Sequence, residues 1–386
     1  MSFNNVTETI LNTGVYDDTI DLFESQYPVP DGISYNSYVI LDEKIALFDT
    51  ADARATQDWL DGIGAALGAR KLDYLIISHM EPDHAANIAL ICEKYPEMQL
   101  VGNAKTFAFL AQFFDADFSA RSITVAEGDT LSLGAHTLQF FMAPMVHWPE
   151  VMVTYEQSEK VLFSADGFGT FGMPYSKEDW AADARRYYFN IVGKYGAQTQ
   201  ALLKKVSPLC IEKICPLHGP VLTEDLCYYI CKYDTWSRYQ PEHDGVLVAY
   251  ASIHGHTKAA ALELAEMLKA GGVSDVKLCD LTRTDVSYAL ADAFSYSKMV
   301  LAACTYDGGV FPCMEEFLLH LKAKAYQSRK IALIENGTWA PMAAKKMREV
   351  LDTMKNIEIC ETVVTIKSSV KPATRESMKK LVKELA

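Results

Sequence analysis

His79-Met80-Glu81-Pro82-Asp83-His84 places four metal-ligating side chains within six residues, and no other stretch constrains the chain as much. It follows Asp73-Tyr74-Leu75-Ile76-Ile77, a short apolar run rich in β-branched residues that reads as a buried strand. The hexapeptide is therefore expected in a loop at a strand's C-terminal end, with a helix over Asp83 to Tyr95 behind it. Such a loop can turn His79, Glu81 and Asp83 toward one point. Imidazoles mixed with carboxylates suit a borderline-hard divalent cation.

Three further positions repeat the arrangement. His147 follows the β-like run Leu138 to Met142, Asp166 follows Lys160 to Ser164, and His218 follows Cys210 to Cys215. Each sits beside Gly or Pro turn chemistry. Strand-end loops gathered at one sheet edge are a usual place to build a site. Four of the nine histidines in the chain occupy these loops, a concentration that scattered core histidines do not explain.

Composition sets the outer limits. A chain of 386 residues suits two domains rather than one, and 49% hydrophobic residues suffice for two cores. No apolar run approaches a membrane span, and the N-terminus lacks signal-peptide character. Nine cysteines with no CxxC pair read as reduced thiols of a cytoplasmic protein. The same absence leaves no rubredoxin iron site among these residues. Residues 1–244 carry 17 basic against 34 acidic side chains, whereas 245–386 carry 19 against 16. The acidic part would repel nucleic acid. The mildly basic part suits a small acidic electron carrier.

The polar, turn-rich stretch Gln240 to Gly245 is the expected boundary, with His243 an exposed linker residue. Beyond it, apolar runs at 246–251, 275–281, 298–303, 330–335 and 358–364 alternate with helical stretches, the last over 371–386. That pattern predicts a doubly wound, five-stranded parallel sheet of flavodoxin-like type. Three strand-end loops fit a flavin. Ser252, His254, Gly255, His256 and Thr257 offer hydroxyls, imidazoles and a helix N-terminus to a phosphate. Thr305-Tyr306-Asp307-Gly308-Gly309 resembles the flavodoxin Thr-Tyr-Asn-x-Gly element, with Asp307 in place of Asn. Asn336-Gly337-Thr338-Trp339 brings an aromatic ring suited to stacking on a planar cofactor.

The ligand order resembles the metallo-β-lactamase superfamily, whose usual motif has a second His where this chain has Glu81. The Glu form is that of the flavodiiron proteins (A-type flavoproteins), which reduce dioxygen or nitric oxide at a non-haem di-iron centre fed by FMN. The resemblance implies an αββα sandwich over 1–244 and an FMN-binding domain over 245–386. It implies one iron on His79, Glu81 and His147, a second on Asp83, His84 and His218, and a bridging Asp166. It also implies roles near the irons for Tyr195 and Trp148, a head-to-tail homodimer or dimer of dimers, and rubredoxin or a similar donor. The competing expectation is a zinc-dependent hydrolase of the metallo-β-lactamase superfamily carrying an added flavodoxin module; Glu81 opposes it, because zinc hydrolases favour His there.

Overall fold

The computed structural model describes residues 5–173 and 177–386, and the chain divides into two compact units, Met1–Asp234 and Thr235–Ala386. The division falls ahead of the polar stretch at Gln240. The residues in between are tied to the second unit, where Trp236 Nε1 donates to Glu242 (2.9 Å) and Arg329 Nη1 donates to the Tyr239 carbonyl (2.6 Å). His243 begins a strand rather than lying in a free linker, and its ring stacks on Tyr296.

The first unit holds a six-stranded and a five-stranded sheet. Its strands are short, and their alternation serves two cores at once. In strands Tyr38–Ile40, Ala46–Phe48 and Tyr74–Ile76, the central residues Val39, Leu47 and Leu75 join Trp59, Ile63, Ile88 and Ile91 of the helices on one side. The flanking Tyr38, Phe48 and Ile76 instead meet Leu138, Phe140, Met152 and Phe163 of the other sheet. Phe48 and Phe163 stack at 4.0 Å across that interface.

In the second sheet, Thr137–Met142 pairs antiparallel with Met152–Glu156, which pairs antiparallel with Val161–Phe163, itself parallel to Lys213–Cys215. Strands 137–142, 161–163 and 213–215 therefore all run in one direction. The loops bearing His147, Asp166 and His218 leave from the same edge. The expected helix over Asp83–Tyr95 is broken into Pro82–Ala85 and Ile88–Lys94. The cause is a long-range contact: the His84 carbonyl accepts from the Thr50 N–H (2.7 Å) and hydroxyl (2.8 Å) instead of continuing the helix. Asn87 at the break donates to the Ala51 carbonyl.

The second unit is a parallel sheet in spatial order Val276–Asp280, His243–Ala251, Tyr296–Tyr306, Arg329–Asn336, Ile357–Ile366. The first strand in sequence thus lies between the second and third, the flavodoxin arrangement with its switch point beside the first strand. Val246, Val248, Val300, Ala302, Ala332 and Ile334 pack one face against helices His256–Ala270 and Pro372–Leu385. A short strand, Gly309–Val310, folds back antiparallel on Thr305–Tyr306. Among the described residues, no helix is long and apolar enough to cross a membrane.

Candidate metal centre and flavin pocket

The seven singled-out side chains of the first unit meet in one buried cluster. They fall into two sets, His79, Glu81, His147 and Asp166, and then Asp83, His84 and His218. Asp166 faces both. Its Oδ2 lies 3.0 Å from His147 Nε2 and 3.6 Å from His79 Nε2, while its Oδ1 lies 3.4 Å from His84 Nε2. Glu81 Oε2 stands 3.1 Å from His79 Nε2 and 3.0 Å from His147 Nε2. In the other set, His218 Nε2 is 3.2 Å from Asp83 Oδ2 and 3.0 Å from His84 Nε2.

These separations and the chemistry of the donors fit cations. Donors spaced by roughly 3 Å match the edges of a coordination shell whose bonds are about 2.1 Å long. Two imidazole nitrogens facing each other at 3.0 Å compete for the space between them. Both Asp83 oxygens and Asp166 Oδ1 are buried without a hydrogen-bond partner. Carboxylates gathered out of water need compensating positive charge. In this arrangement the imidazoles supply it. Burial alone would depress their pKa values, but Asp166, Glu150 and Glu81 hold His79 well above the usual range. Asp166 and Glu81 likewise overcome burial to raise His147 to about 9. In return, despite burial, Asp166 is held well below the ordinary carboxylate range, chiefly by its hydrogen bond with His147 and the charge of His79. The set is all nitrogen and oxygen. Cys215, on the strand leading to His218, packs between the sheets instead.

A further layer orients these donors, and none of it was anticipated from sequence. Glu150 Oε1 holds His79 Nδ1 at 2.8 Å and accepts the Met80 N–H at 2.9 Å. Its own backbone carbonyl accepts from Asn103 Nδ2. His218 Nδ1 lies 2.7 Å from the Ser34 carbonyl. Asp49 Oδ1 accepts the backbone N–H groups of Ser78 (2.7 Å) and His79 (3.2 Å). Such partners fix which imidazole nitrogen is offered to a metal. His84 lacks such a partner, its Nδ1 being buried without one.

Trp148 lies edge-on to His79, ring centroids 5.2 Å apart, and so walls the cluster. Among the described residues, Tyr195 makes no ring or hydrogen-bond contact with the cluster's side chains. That residue caps helix Gly196–Val206, and its ring lies under Lys194 Nζ. Two tyrosines lie beside the cluster: Tyr35, 6.1 Å between ring centroids from His218, and Tyr187, 5.5 Å from it, whose hydroxyl is buried without a partner. Burial, then the charges of Asp166, Asp83 and Glu81, push its pKa well above the usual value, so it stays protonated. Tyr187 lies in Arg185-Arg186-Tyr187-Tyr188-Phe189, where helical phase was the only available signal.

In the second unit, a cavity of about 600 Å³ opens at the C-terminal ends of the strands. Twelve of the fourteen singled-out residues line it; Gly255 and Gly309 do not. Gly255 instead takes the left-handed conformation ahead of helix His256–Ala270 and donates its N–H to Ser252 Oγ (3.1 Å). Gly309 pairs with Tyr306 across the turn formed by Asp307 and Gly308, both at positive φ. Trp339 is 91% exposed at the rim, Tyr306 46% and Ile253 43%.

Several polar groups of the cavity are already committed to the fold. Thr305 Oγ1 accepts the N–H groups of Met342 (2.8 Å) and Ala343 (3.1 Å), capping helix Ala343–Leu351. Asn336 exchanges hydrogen bonds with the Ser368 backbone, and Thr338 Oγ1 meets Ser368 Oγ at 3.1 Å. Gly337 is required by close approach, since a Cβ there would come within 2.8 Å of Pro341. Ser368 shows that a fourth strand-end loop, unforeseen from sequence, completes the wall.

Comparison with known proteins gives this architecture its relatives. Residues 33–219 match the family described as ODP family beta lactamase. The rubredoxin-oxygen oxidoreductase of Megalodesulfovibrio gigas is 30% identical over 369 residues, covering 92% of this chain and 90% of that protein. The anaerobic nitric oxide reductase flavorubredoxin of Vibrio vulnificus is 26% identical over 91% of this chain and 72% of its own. The solved structure of rubredoxin oxygen:oxidoreductase from Desulfovibrio gigas superposes with a TM-score of 0.92 at 26% identity, covering 99% of this chain and 97% of that one. Matched from the metal loops through the flavin unit, this chain belongs to the flavodiiron proteins, the family of the rubredoxin–oxygen oxidoreductases.

Proposed function

We infer that this protein is a flavodiiron oxidoreductase, reducing dioxygen to water, nitric oxide to nitrous oxide, or both, with FMN and two irons as cofactors. The single observation that carries the reading is Asp166, whose two oxygens address different donor sets, 3.0 Å from His147 and 3.4 Å from His84. That is the placement a carboxylate needs to bridge two metals. His79, Glu81 and His147 would hold one iron, and Asp83, His84 and His218 the other. The paired irons and the flavin together store four electrons, the number that takes dioxygen to water.

The chain's own residues prepare the chemistry. Glu150 and the Ser34 carbonyl fix the rings of His79 and His218 so that Nε2 of each points inward. Trp148 and Phe23, edge-on to His79 and His218, exclude water from those rings. Tyr187 holds its proton at the hydroxyl oxygen, with no acceptor of its own, and so can donate a hydrogen bond to a substrate oxygen. In the second unit, Ser252, Thr257 and the N-terminus of helix His256–Ala270 suit the FMN phosphate, while Trp339 and Tyr306 offer ring faces.

Rubredoxin or a comparable small protein is the proposed electron donor. We further propose a head-to-tail homodimer, in which one subunit's flavin serves the other subunit's irons. The exposed rim of Ile253, Tyr306 and Trp339 supports a covered flavin edge. A cytoplasmic setting accords with nine free cysteines. The hydrolase alternative leaves the flavin cavity without a purpose. Amperometric consumption of dioxygen and of nitric oxide by iron-loaded, FMN-bound protein with reduced rubredoxin tests the reading. Turnover of either gas is expected, and faster turnover of one assigns the preference. Failure with both, at full iron and flavin content, would overturn it.

A further inference from the structure

Both reductions consume protons, and the metal cluster is screened by rings, so a route for protons from solvent has to exist. The hairpin of Leu22–Phe23 and Tyr27–Pro28 lies at the edge of this screen. Its paired residues Phe23 and Tyr27 are buried, and the Phe23 ring meets that of His218 edge-on at 5.3 Å. The tip residues Glu24, Ser25 and Gln26 remain exposed to solvent. The turn itself is unusual for its sequence. The Phe23 carbonyl accepts the Gln26 N–H (3.0 Å), and both Glu24 (φ 49°) and Ser25 (φ 57°) are left-handed, a geometry that Asn and Gly normally fill. A glutamate kept in a conformation that disfavours it suggests a use for its side chain.

The geometry points to Glu24 as the carboxyl that passes protons from solvent to the metal cluster. Phe23 anchors the hairpin edge-on against the candidate ligand His218 while Tyr27 packs on Phe171, so Glu24, the residue after Phe23, stands at the cluster's margin while touching water. Gln26 Nε2 donates to Glu24 Oε2 (2.9 Å) and holds the carboxyl in place. Glu81 and Asp83 of the metal loop and His147 of the neighbouring loop are the charged groups whose field it shares. Partial desolvation of the carboxyl and repulsion by Glu81, with Asp83 adding to them, keep it protonated to higher pH than an ordinary glutamate, while the Gln26 hydrogen bond and His147 oppose the shift. In each cycle the acid would release a proton toward the oxygen atom being reduced and become a carboxylate. It would then recover a proton from water. Four such transfers accompany the four electrons that the flavin and irons deliver to dioxygen.

This inference rests on the reductase reading, and the wild type separates the two: if it consumes neither gas, the reading itself fails. Given an active wild type, Glu24→Gln and Glu24→Asp are compared as iron-loaded, FMN-bound protein. Glu24→Gln should retain full iron and flavin yet lose roughly tenfold to a hundredfold in kcat, with little change in KM. The alkaline limb of its pH profile should flatten, and Glu24→Asp should recover most of the rate. Infrared difference spectra between wild type and Glu24→Gln should show one protonated carboxyl missing from the variant, and in the wild type that band should persist to higher pH than an ordinary glutamate's. Unchanged kcat and pH profile in Glu24→Gln would overturn the proposal. So would loss of iron with the rate per iron preserved, which would make Glu24 merely structural, or the absence of the carboxyl difference band.

Discussion

The two halves of the chain prepare their sites in opposite ways. In the metal centre nearly every donor is buried, and His79 and His218 have their second nitrogen held at 2.8 Å and 2.7 Å. The flavin cavity is lined at its base by groups that hydrogen-bond to the protein itself, and its rim is exposed apolar surface. A cation needs several charges aimed at one point, and burial makes each misplacement costly. A flavin needs a slot, a phosphate seat and a ring face, all of which tolerate small shifts. Substitutions in the first site should therefore cause large, all-or-none losses, and those in the second should cause graded ones.

The largest contrast is expected from Asp166→Ala. It removes the one carboxylate among the described residues that addresses both donor sets, so iron binding and gas reduction should be lost together while FMN is retained. Metal analysis beside the flavin absorbance checks this, and a variant keeping both irons and turnover would refute the bridging role. Glu150→Leu comes next. It never touches a metal in this scheme, yet it frees His79 Nδ1 and should weaken iron affinity by roughly 10- to 100-fold. His84→Ala should cost less than His79→Ala, because His84 Nδ1 has no partner holding its ring. Equal losses in a chelator titration would show that the unheld ring matters as much as the held one.

The same contrast explains what could be read from the sequence. The candidate metal ligands were legible because they cluster within six residues or follow a β-like run at a turn, and the candidate flavin loops because strand and helix alternate over whole elements. The layer behind the ligands was not. Glu150 lies 71 residues from His79, and Ser34 lies 184 residues from His218. Such partners are brought together only by folding. Tyr187 illustrates the same limit, since its ring contacts with Phe171 and His218 are made only once helix Lys177–Ile191 is packed. The sandwich was equally hard to derive, because three-residue strands divide their side chains between two cores and leave almost no period to detect. The break at Ala86 and Asn87 depends on Thr50, far upstream, capturing the His84 carbonyl.

In the flavin unit, Trp339→Ala should weaken FMN binding by a few-fold to about tenfold, the range expected for a lost ring contact. Fluorescence titration of the flavin-free protein measures it. An unchanged dissociation constant would mean that the exposed indole covers something other than the flavin.

The smallest effect should come from Thr305→Val, and it tests whether a cavity-lining residue serves the fold or the cofactor. Thr305 Oγ1 accepts two N–H groups at the start of helix Ala343–Leu351, which has no cap from its own Met342 side chain. Valine keeps the shape but cannot accept, so both N–H groups lose their partner. The expected cost is about 1 kcal/mol of stability, typical of a lost helix cap, read as a lower melting temperature for the second unit. FMN affinity should change less than in Trp339→Ala, because the threonine oxygen is already engaged as an acceptor and only its O–H remains to offer a ligand. A large loss of FMN affinity at an unchanged melting temperature would reverse the assignment and make Thr305 a flavin contact first. Thr305→Ser, which retains the oxygen, separates the two cases: it should restore the melting temperature if the capping role dominates.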